Sequence, residues 1–586
     1  MEQYYDVVII GAGPAGIFAA LELARLKAGL SVLMVDAGRN IDDRSCPARE
    51  GKKCAGCKPC SIMSGWSGAG AFSDGKLSLS DGVGGNIVDY LGKAEANELI
   101  GRADGFYMRF GAPEAVHGRD DRKVEELRYE ASKHSIQLIP CPVRHMGTEN
   151  AFEVLRRMYK YLEAEPWFEF CELTEALGIS AEGPPAGVAP AQGAPAAGTP
   201  ATGTLSGGTP AGGASRDGRP AEAAAQAAAQ AASPAETPAQ AMAPAPATVP
   251  AAPAPGNGAA QATAPAPTAE PATARVPAPP ATGDGAAPRS WAADGAPRAR
   301  GVTLRLKDGS IREVAAGAVV AAPGRGGAEW LKGVADRHGI PIKNNEVDIG
   351  LRVEVPNAIM DRLTRHLYEA KLVYYSDTFE SKVRTFCMNP GGIVSAEHYE
   401  GGLAVVNGHS YSDPALRTRN TNFALLVSTR FTHPFSQPIE YGKYIASLGN
   451  MLTGGGIMVQ RLGDLLMGRR SDPSRLKKST TEPTLASAIP GDLSFVLPHR
   501  HLTSIIESLA AFDKLAPGLN SNNTLLYGVE VKFYSSKVEV DGRFRTNIGG
   551  LYAVGDGAGI TRGLMQASVT GIAVARDIAA SCGKLA

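Results

Sequence analysis

Tyr5-Asp6-Val7-Val8-Ile9-Ile10 runs directly into Gly11-Ala12-Gly13-Pro14-Ala15-Gly16, and this junction decides the fold. The first six residues form a short apolar run, as a buried parallel strand requires. A helix continues through Phe18 to Ala24 and stops near Gly29. Ser31-Val32-Leu33-Met34-Val35 then reads as a second strand, ending at Asp36. Each part has a physical task. Gly11 permits the tight turn, Gly13 lets the backbone approach a pyrophosphate, and Gly16 lets helix and strand pack together. Pro14 and Ala15 open the helix, whose unsatisfied amides face the phosphates. Asp36 can accept hydrogen bonds from an adenosine ribose. A G-x-G-x-x-G string alone is weak evidence. Here strand, glycines, helix, second strand and acidic residue occur in order, which specifies a Rossmann-type dinucleotide site.

The remainder of the chain sets bounds on that reading. Its 586 residues suffice for several domains, with 44% apolar and 20% charged residues. Lys plus Arg and Asp plus Glu number 59 each, so net charge gives no pull toward nucleic acid or an anionic membrane. No signal peptide is expected from the opening residues, and no apolar run outside the alanine-rich tract is long enough to span a bilayer. The eight cysteines do not follow the pattern of a secreted disulfide scaffold, so a cytoplasmic location is expected.

Composition changes after Glu182. Residues 183–300 are mostly Ala, Pro, Gly and Thr, with no charge between Pro238 and Thr268. Such a tract buries too little surface to offset chain entropy, and its prolines interrupt helices. It is expected to be a disordered, tolerated insertion rather than a docking tether. Strand-like Trp167-Phe168-Glu169-Phe170 precedes it, and Val302 to Leu306, a Lys307-Asp308-Gly309 turn and a strand through Ala322 follow. The insertion should therefore sit at a loop tip in a sheet.

At the far end, Gly550-Leu551-Tyr552-Ala553-Val554-Gly555-Asp556-Gly557-Ala558-Gly559 leads into a helical stretch, 567–580. This resembles the second FAD signature of the glutathione-reductase-like flavoproteins. The resemblance implies that Asp556 binds the ribityl or pyrophosphate portion of FAD and that the next helix points toward the flavin. Val319-Val320-Ala321-Ala322-Pro323-Gly324 resembles their third motif, with Pro323 where Thr is usual. The block Gly65 to Leu77 is rich in small residues and carries Ser73, Asp74 and Lys76. Further strings are Gly324 to Trp330, Val347 to Arg352, Arg384 to Cys387, Val406 to Ser410, Gln460 to Asp464, Tyr527 to Phe533, and Gly555 to Gly563 with Arg562. Together they resemble a bacterial family of largely uncharacterised FAD-dependent dehydrogenases. By analogy with the wider fold, Gly68, Ala69 and Gly70 approach FAD, and Val143 lies on the strand whose backbone meets adenine.

Cys46, Cys54, Cys57 and Cys60 make a C-x7-C-x2-C-x2-C arrangement. Three readings stand: a zinc or iron–sulfur site, redox-active thiols near the flavin, or structural thiols. His409, in the polar stretch Asn407 to Ser410, is the candidate catalytic acid or base, against the plainer reading of a satisfied histidine. Arg352 and Arg384 suit an anionic group or an ordinary ion pair. Glu530 and Lys532, two apart on a strand, share one side of it, most simply as a sheet-surface pair.

The expected fold is α/β: a Rossmann-type FAD-binding domain assembled from discontinuous segments (1–182, 301–341 and 548–586), interleaved with a mixed α+β substrate domain (342–547). The corresponding function is an FAD-dependent oxidoreductase moving hydride between the flavin and a small organic substrate. The interval 342–547 holds no second strand-glycine-helix unit, so no dedicated NAD(P)H domain is expected, while transient NAD(P)H binding or another electron donor stays open. Two alternatives remain at this level. One is an electron-transfer flavoprotein with a cysteine-bound iron–sulfur cluster. The other is a non-redox, FAD-containing partner-binding or RNA-modifying protein, which the lack of basic, aromatic-interleaved stretches disfavours.

Overall fold

Val7, Val8 and Ile9 are fully buried because the Tyr4–Ile10 strand has parallel partners on both edges, Val32–Val35 on one and Ile311–Ala321 on the other. That double burial is why the segment reads as a continuous apolar run instead of alternating. The computed structural model describes residues 1–47, 55–73, 75–182, 297–399, 402–411, 413–432, 434–435 and 437–583. The insertion read from composition falls, from 183 to 296, outside the described residues. The first sheet has seven strands in the order Phe168–Cys171, Val32–Val35, Tyr4–Ile10, Ile311–Ala321, Arg298–Arg305 and Glu175–Glu182, with Leu551–Ala553 also paired parallel to Ile311–Ala321. The three dinucleotide motifs, far apart in the chain, thus end side by side at the carboxyl edges of neighbouring parallel strands. The helices Pro14–Leu26 and Leu564–Ser581 pack against each other on this sheet. They approach closely because Gly571 lies against Ala15: a Cβ on Gly571 would stand 2.0 Å from the Ala15 carbonyl oxygen.

Glu175–Glu182 and Arg298–Arg305 form an antiparallel hairpin in which Glu182 pairs with Arg298. The insertion is accordingly carried at the tip of a hairpin in the sheet, as expected. The strand leading into it is Glu175–Glu182, however. The Trp167–Phe170 region pairs with Val32–Val35 instead. Glu175–Glu182 carries charge at both ends and a glycine within, and its partly exposed residues give only weak alternation. The strand after the insertion begins at Arg298, three residues before the segment start at 301 read from composition.

The second sheet has eight strands, in the order Ile489–Pro490, Met458–Arg461, Leu525–Lys532, Val347–Pro356, Asn420–Thr429, Lys382–Pro390, Lys371–Tyr375 and Ile136–Ile139. Ile136–Ile139 comes from the stretch assigned by sequence to the first FAD-binding segment, yet it forms the edge strand of this second sheet. On Val347–Pro356 the odd positions Val347, Ile349, Leu351, Val353 and Val355 enter an apolar core beneath the helices Asn357–Leu367, Pro438–Thr453 and His499–Phe512. The even positions Asp348, Arg352 and Glu354 occupy the opposite face and are buried as well. The hairpin Ile393–His398 and Ala404–His409 lies against that polar face. No described helix is long and apolar enough to cross a membrane.

Candidate functional site

Three glycine turns meet at one cleft of about 700 Å³. Gly11 has a φ of +104°, and a Cβ there would stand 2.1 Å from the Ala322 carbonyl oxygen, so the turn and the exit of the Ile311–Ala321 strand touch directly. Gly16 is excluded from bearing a side chain by the Gly11 carbonyl oxygen, 2.2 Å from where its Cβ would be. It packs helix onto turn and does not line the cleft. Gly13 has nothing within 4 Å on the corresponding side and lines the cleft with Pro14 and Ala15. Gly324 and Gly555 line it too, and Gly557 packs on the Gly324 carbonyl.

The N-termini of two long helices open into this cleft, through Pro14 and Ala15 on one side and Leu564 to Ala567 on the other. Gly68, Ala69 and Gly70 lie in a short 3-10 turn beside them. A Cβ on Gly70 would be 2.9 Å from Leu564 Cδ2, and one on Gly68 would be 3.7 Å from Gly13 Cα. The small-residue block therefore fills the narrow space between both helix starts, where larger side chains would close the cleft.

Asp36 lines the cleft, and its carboxylate also clamps the loop. Oδ2 accepts from the Ala12 amide at 2.9 Å, and Oδ1 accepts from the Gly38 and Gly65 amides at 2.8 and 2.7 Å. A carboxylate has about four acceptor positions, so three amides leave room for one ligand hydroxyl. Val143 differs from the expectation. It is fully buried, does not line the cleft, and its amide and carbonyl both pair with His117 at 2.9 Å. The backbone bordering the Asp36 end is Thr174 to Ala176, where the Thr174 amide donates to the Asp36 carbonyl at 2.9 Å. Sequence reading missed this segment. Its signal was position alone: it follows the strand that pairs with Val32–Val35.

Asp556 lines the cleft. Its Oδ1 accepts from the Thr561 hydroxyl at 2.6 Å, and Arg325 Nε is 3.8 Å from Oδ2. Burial raises its pKa above the ordinary carboxylate value, opposed by Arg325, Thr561 and Arg562. Arg562 stacks on the Tyr534 ring at 3.9 Å and donates to Asn345 Oδ1 at 3.3 Å.

The far wall is the polar face of the second sheet. Arg352 and Glu530 form a fully buried pair through bonds of 2.8 and 2.9 Å, and Glu530 also meets Lys532 at 3.1 Å. Glu530 and Lys532 do share a side, as expected, but that side is interior and not the surface of the sheet. Burial alone would raise the Glu530 pKa, yet Arg352 and Lys532 hold it below its ordinary value. Arg352 Nη1 also donates to Asn422 Oδ1 at 2.7 Å. Arg384 pairs with Asp348, donates to the Tyr534 hydroxyl at 2.9 Å and lines the cleft. His409 is exposed at the cleft rim, at the end of the Ala404–His409 strand. Cys387 lines the cleft in a bulge of the Lys382–Pro390 strand, with φ +47° and Lys76 Nζ 4.0 Å from its sulfur.

Among the described residues no group of three or more His, Cys, Asp or Glu side chains is placed to hold a metal ion. Cys46, Cys57 and Cys60 are free thiols, the last two exposed, and Cys54 lies outside the described residues. Pro59 and Met63 line the cleft, so the segment carrying Cys57 and Cys60 borders it.

Residues 346–533 match the family model described as FAD-dependent protein, C-terminal domain-like, and residues 5–64 match that of the pyridine nucleotide-disulphide oxidoreductases. An uncharacterized protein of Clostridium beijerinckii is 30% identical over 248 residues, which cover 39% of this chain. The chain spans 45% of that relative's length. Among solved structures, a mutant of E. coli quinol fumarate reductase FrdA overlaps 99% of this chain and 70% of its own, with TM-score 0.38 and 12% identity. Glycine oxidase from Geobacillus kaustophilus overlaps 99% and 95%, with TM-score 0.32 and 10% identity.

The residues present fit FAD. The open side of Gly13 and the amides of the Pro14–Leu26 helix suit a pyrophosphate. Asp36 has acceptor capacity for a ribose hydroxyl, and the small residues Gly68 to Gly70 keep the cleft open beside the second helix start.

Proposed function

From a chain that joins a glutathione-reductase-like FAD-binding domain to the C-terminal domain type of FAD-dependent proteins, we propose an FAD-dependent oxidoreductase acting on a small organic substrate. The observation that carries this reading is the shared cleft. Two helix N-termini and three glycine turns form one side, and a buried polar sheet face forms the other. The flavin supplies hydride or electron transfer. The chain's own residues divide the remaining work. Gly11, Gly13, Pro14 and Ala15 cradle the pyrophosphate, with Gly16 packing behind them. Asp36 takes the ribose and Thr174 to Ala176 border the adenine. Gly324, Gly555, Asp556 and Arg562 hold the central portion, and Gly68, Ala69 and Gly70 flank the ring. His409, at the rim, is the candidate proton donor or acceptor for the substrate.

NAD(P)H or another small electron donor would have to reach the flavin through the same cleft, since no separate dinucleotide unit is read from the chain. Neither nucleic acid nor a membrane is a partner in this reading. A cytoplasmic location is part of the same reading. The division of the chain into FAD-binding segments 1–182, 301–341 and 548–586 around a substrate domain 342–547 is part of the same proposal, amended by the strand Ile136–Ile139.

The test is anaerobic purification with flavin, iron and acid-labile sulfide analysis, followed by mixing with NADH, NADPH and dithionite. The expected result is FAD bound to the chain, bleached by a reductant and reoxidised by an added acceptor. A chain that neither retains nor takes up FAD would sink the proposal. Stoichiometric iron and sulfide would favour the electron-transfer alternative.

A further inference from the structure

Phe386 lies in the cleft wall with three cations around its ring. Arg384 is 4.9 Å from the ring centroid, Lys371 5.4 Å and Lys532 5.9 Å. All four residues line the cleft. They come from three strands, Lys371–Tyr375, Lys382–Pro390 and Leu525–Lys532. Each cation has a carboxylate partner: Glu369 for Lys371, Asp348 for Arg384 and Glu530 for Lys532. The two signs are not disposed alike. Side-chain exposure is 10%, 18% and 9% for the cations, against 3%, 0% and 0% for the carboxylates. Asp348 and Glu530 are sealed into the protein and Glu369 only touches the cleft, while the cations are the more exposed member of each pair there.

Stability does not explain this arrangement. Charged pairs buried in a sheet are commonly neutral or unfavourable beside an apolar replacement of equal volume. An ammonium has three donors, and one carboxylate leaves donors for a further acceptor. The trio presents positive charge around an apolar floor, and such a recess suits an organic anion better than a bare inorganic one. The ring takes the hydrocarbon body, and the surrounding cations take its charge.

We propose that Lys371, Arg384 and Lys532 are the receptor for a carboxylate-bearing organic substrate seated over Phe386. This rests on the oxidoreductase reading of the same cleft and supplies its substrate class. The cations bind and orient the anion. Their buried carboxylates are positioning residues that keep each cation aimed at the cleft.

The oxidised FAD-loaded protein is titrated at low ionic strength with benzoate, glutarate, benzamide and inorganic phosphate, read by flavin difference spectra and calorimetry. Benzoate or glutarate should bind saturably, weaken with added salt, and exceed benzamide and phosphate. Lys371→Met and Lys532→Met should each weaken binding about tenfold or more. Lys371→Arg should keep most of it. FAD content and circular dichroism of each variant separate lost binding from lost folding, and should Lys371→Met not hold FAD, Lys532→Met and the wild-type series decide. Phosphate binding as tight as the carboxylates would overturn the organic-anion assignment. Absence of saturable carboxylate binding, or unchanged affinity in folded variants, would overturn the receptor itself. Dithionite reduction of the same samples keeps the two readings apart. A flavin that reduces normally while no carboxylate binds refutes this inference alone, whereas failure to hold a reducible flavin refutes the reading beneath it.

Discussion

Replacing Gly13 by alanine should leave the apoprotein folded and remove its FAD, whereas the same change three residues later should damage both. At Gly13 the backbone φ is −77°, ordinary for any residue, and a Cβ would have no neighbour within 4 Å. The position caps the Pro14–Leu26 helix, where alanine is a poorer cap than glycine, by about 1 kcal/mol at most. The added methyl would occupy the side of the turn where a pyrophosphate must approach the helix amides. Holding the phosphates off by a methyl group forfeits about two charge-assisted hydrogen bonds of about 1.5–3 kcal/mol each. The total of about 3–6 kcal/mol is a loss in FAD affinity of about 10²–10⁴-fold. At Gly16 the Cβ would stand 2.2 Å from the Gly11 oxygen and 3.0 Å from Ile9 Cγ2. Relief there requires the helix to move off the strand, an overpacking penalty of about 1–3 kcal/mol paid by the apoprotein itself. Urea unfolding of the stripped proteins, followed by circular dichroism, measures apoprotein stability. Quenching of FAD fluorescence on titration measures FAD affinity. Wild-type FAD affinity in Gly13→Ala would refute the placement of the pyrophosphate over this turn. Equal apoprotein destabilisation by both variants would refute the distinction between an open and a packed glycine.

Asp36→Asn should destabilise the apoprotein by about 2–4 kcal/mol and weaken FAD binding, because one amide oxygen cannot serve three backbone donors and its NH2 would face one of them; urea unfolding checks this, and a change below about 0.5 kcal/mol would remove the clamp. Arg352→Met leaves buried Glu530 with Lys532 as its remaining charged partner, an expected loss of about 3 kcal/mol. Adding Glu530→Gln should recover part of it in a double-mutant cycle, and strict additivity would show that the pair does not act as a unit. His501 is buried and its pKa is lowered to about 4, by burial and then by Arg500. The unfolded chain takes up this proton near pH 6.5 and the folded one only near 4, so the neutral histidine's contribution is present above pH 6.5 and is lost as pH falls toward 4. About 2.5 pH units at 1.36 kcal/mol each give about 3 kcal/mol. Stability measured from pH 7 to 4 should decline less steeply in His501→Gln, and parallel profiles would exclude His501 as a source of the acid loss.

What could be read from the sequence was what is local. Gly11 to Asp36 is one contiguous strand-turn-helix-strand unit, and each glycine's task follows from its spacing within it. The turns at Gly324 and Gly555 were legible because each directly follows a buried strand. Placement across the fold was not. Val143 was put at the adenine by analogy, but its backbone groups are taken by His117. Thr174 to Ala176 border Asp36 instead, because Phe168–Cys171 pairs with Val32–Val35 across more than a hundred residues, and no local pattern records such a register. The strand Ile136–Ile139 crossed into the second sheet for the same reason.

Glu530 and Lys532 show a different limit. Alternation correctly put them on one side of their strand, but a period of two does not say what covers that side. The covering element is the hairpin ending at His409, and Gly408 shows how closely it must approach. A Cβ there would stand 2.2 Å from Asn422 Oδ1 and 2.5 Å from Arg352 Nη1. The hairpin therefore bears directly on the buried charges, and the next residue along it, His409, is delivered to the cleft rim. A sheet surface facing water would need no such glycine. The glycine that seals the polar face also fixes where the candidate acid or base emerges, so the buried network and the chemistry at the rim are held by one contact.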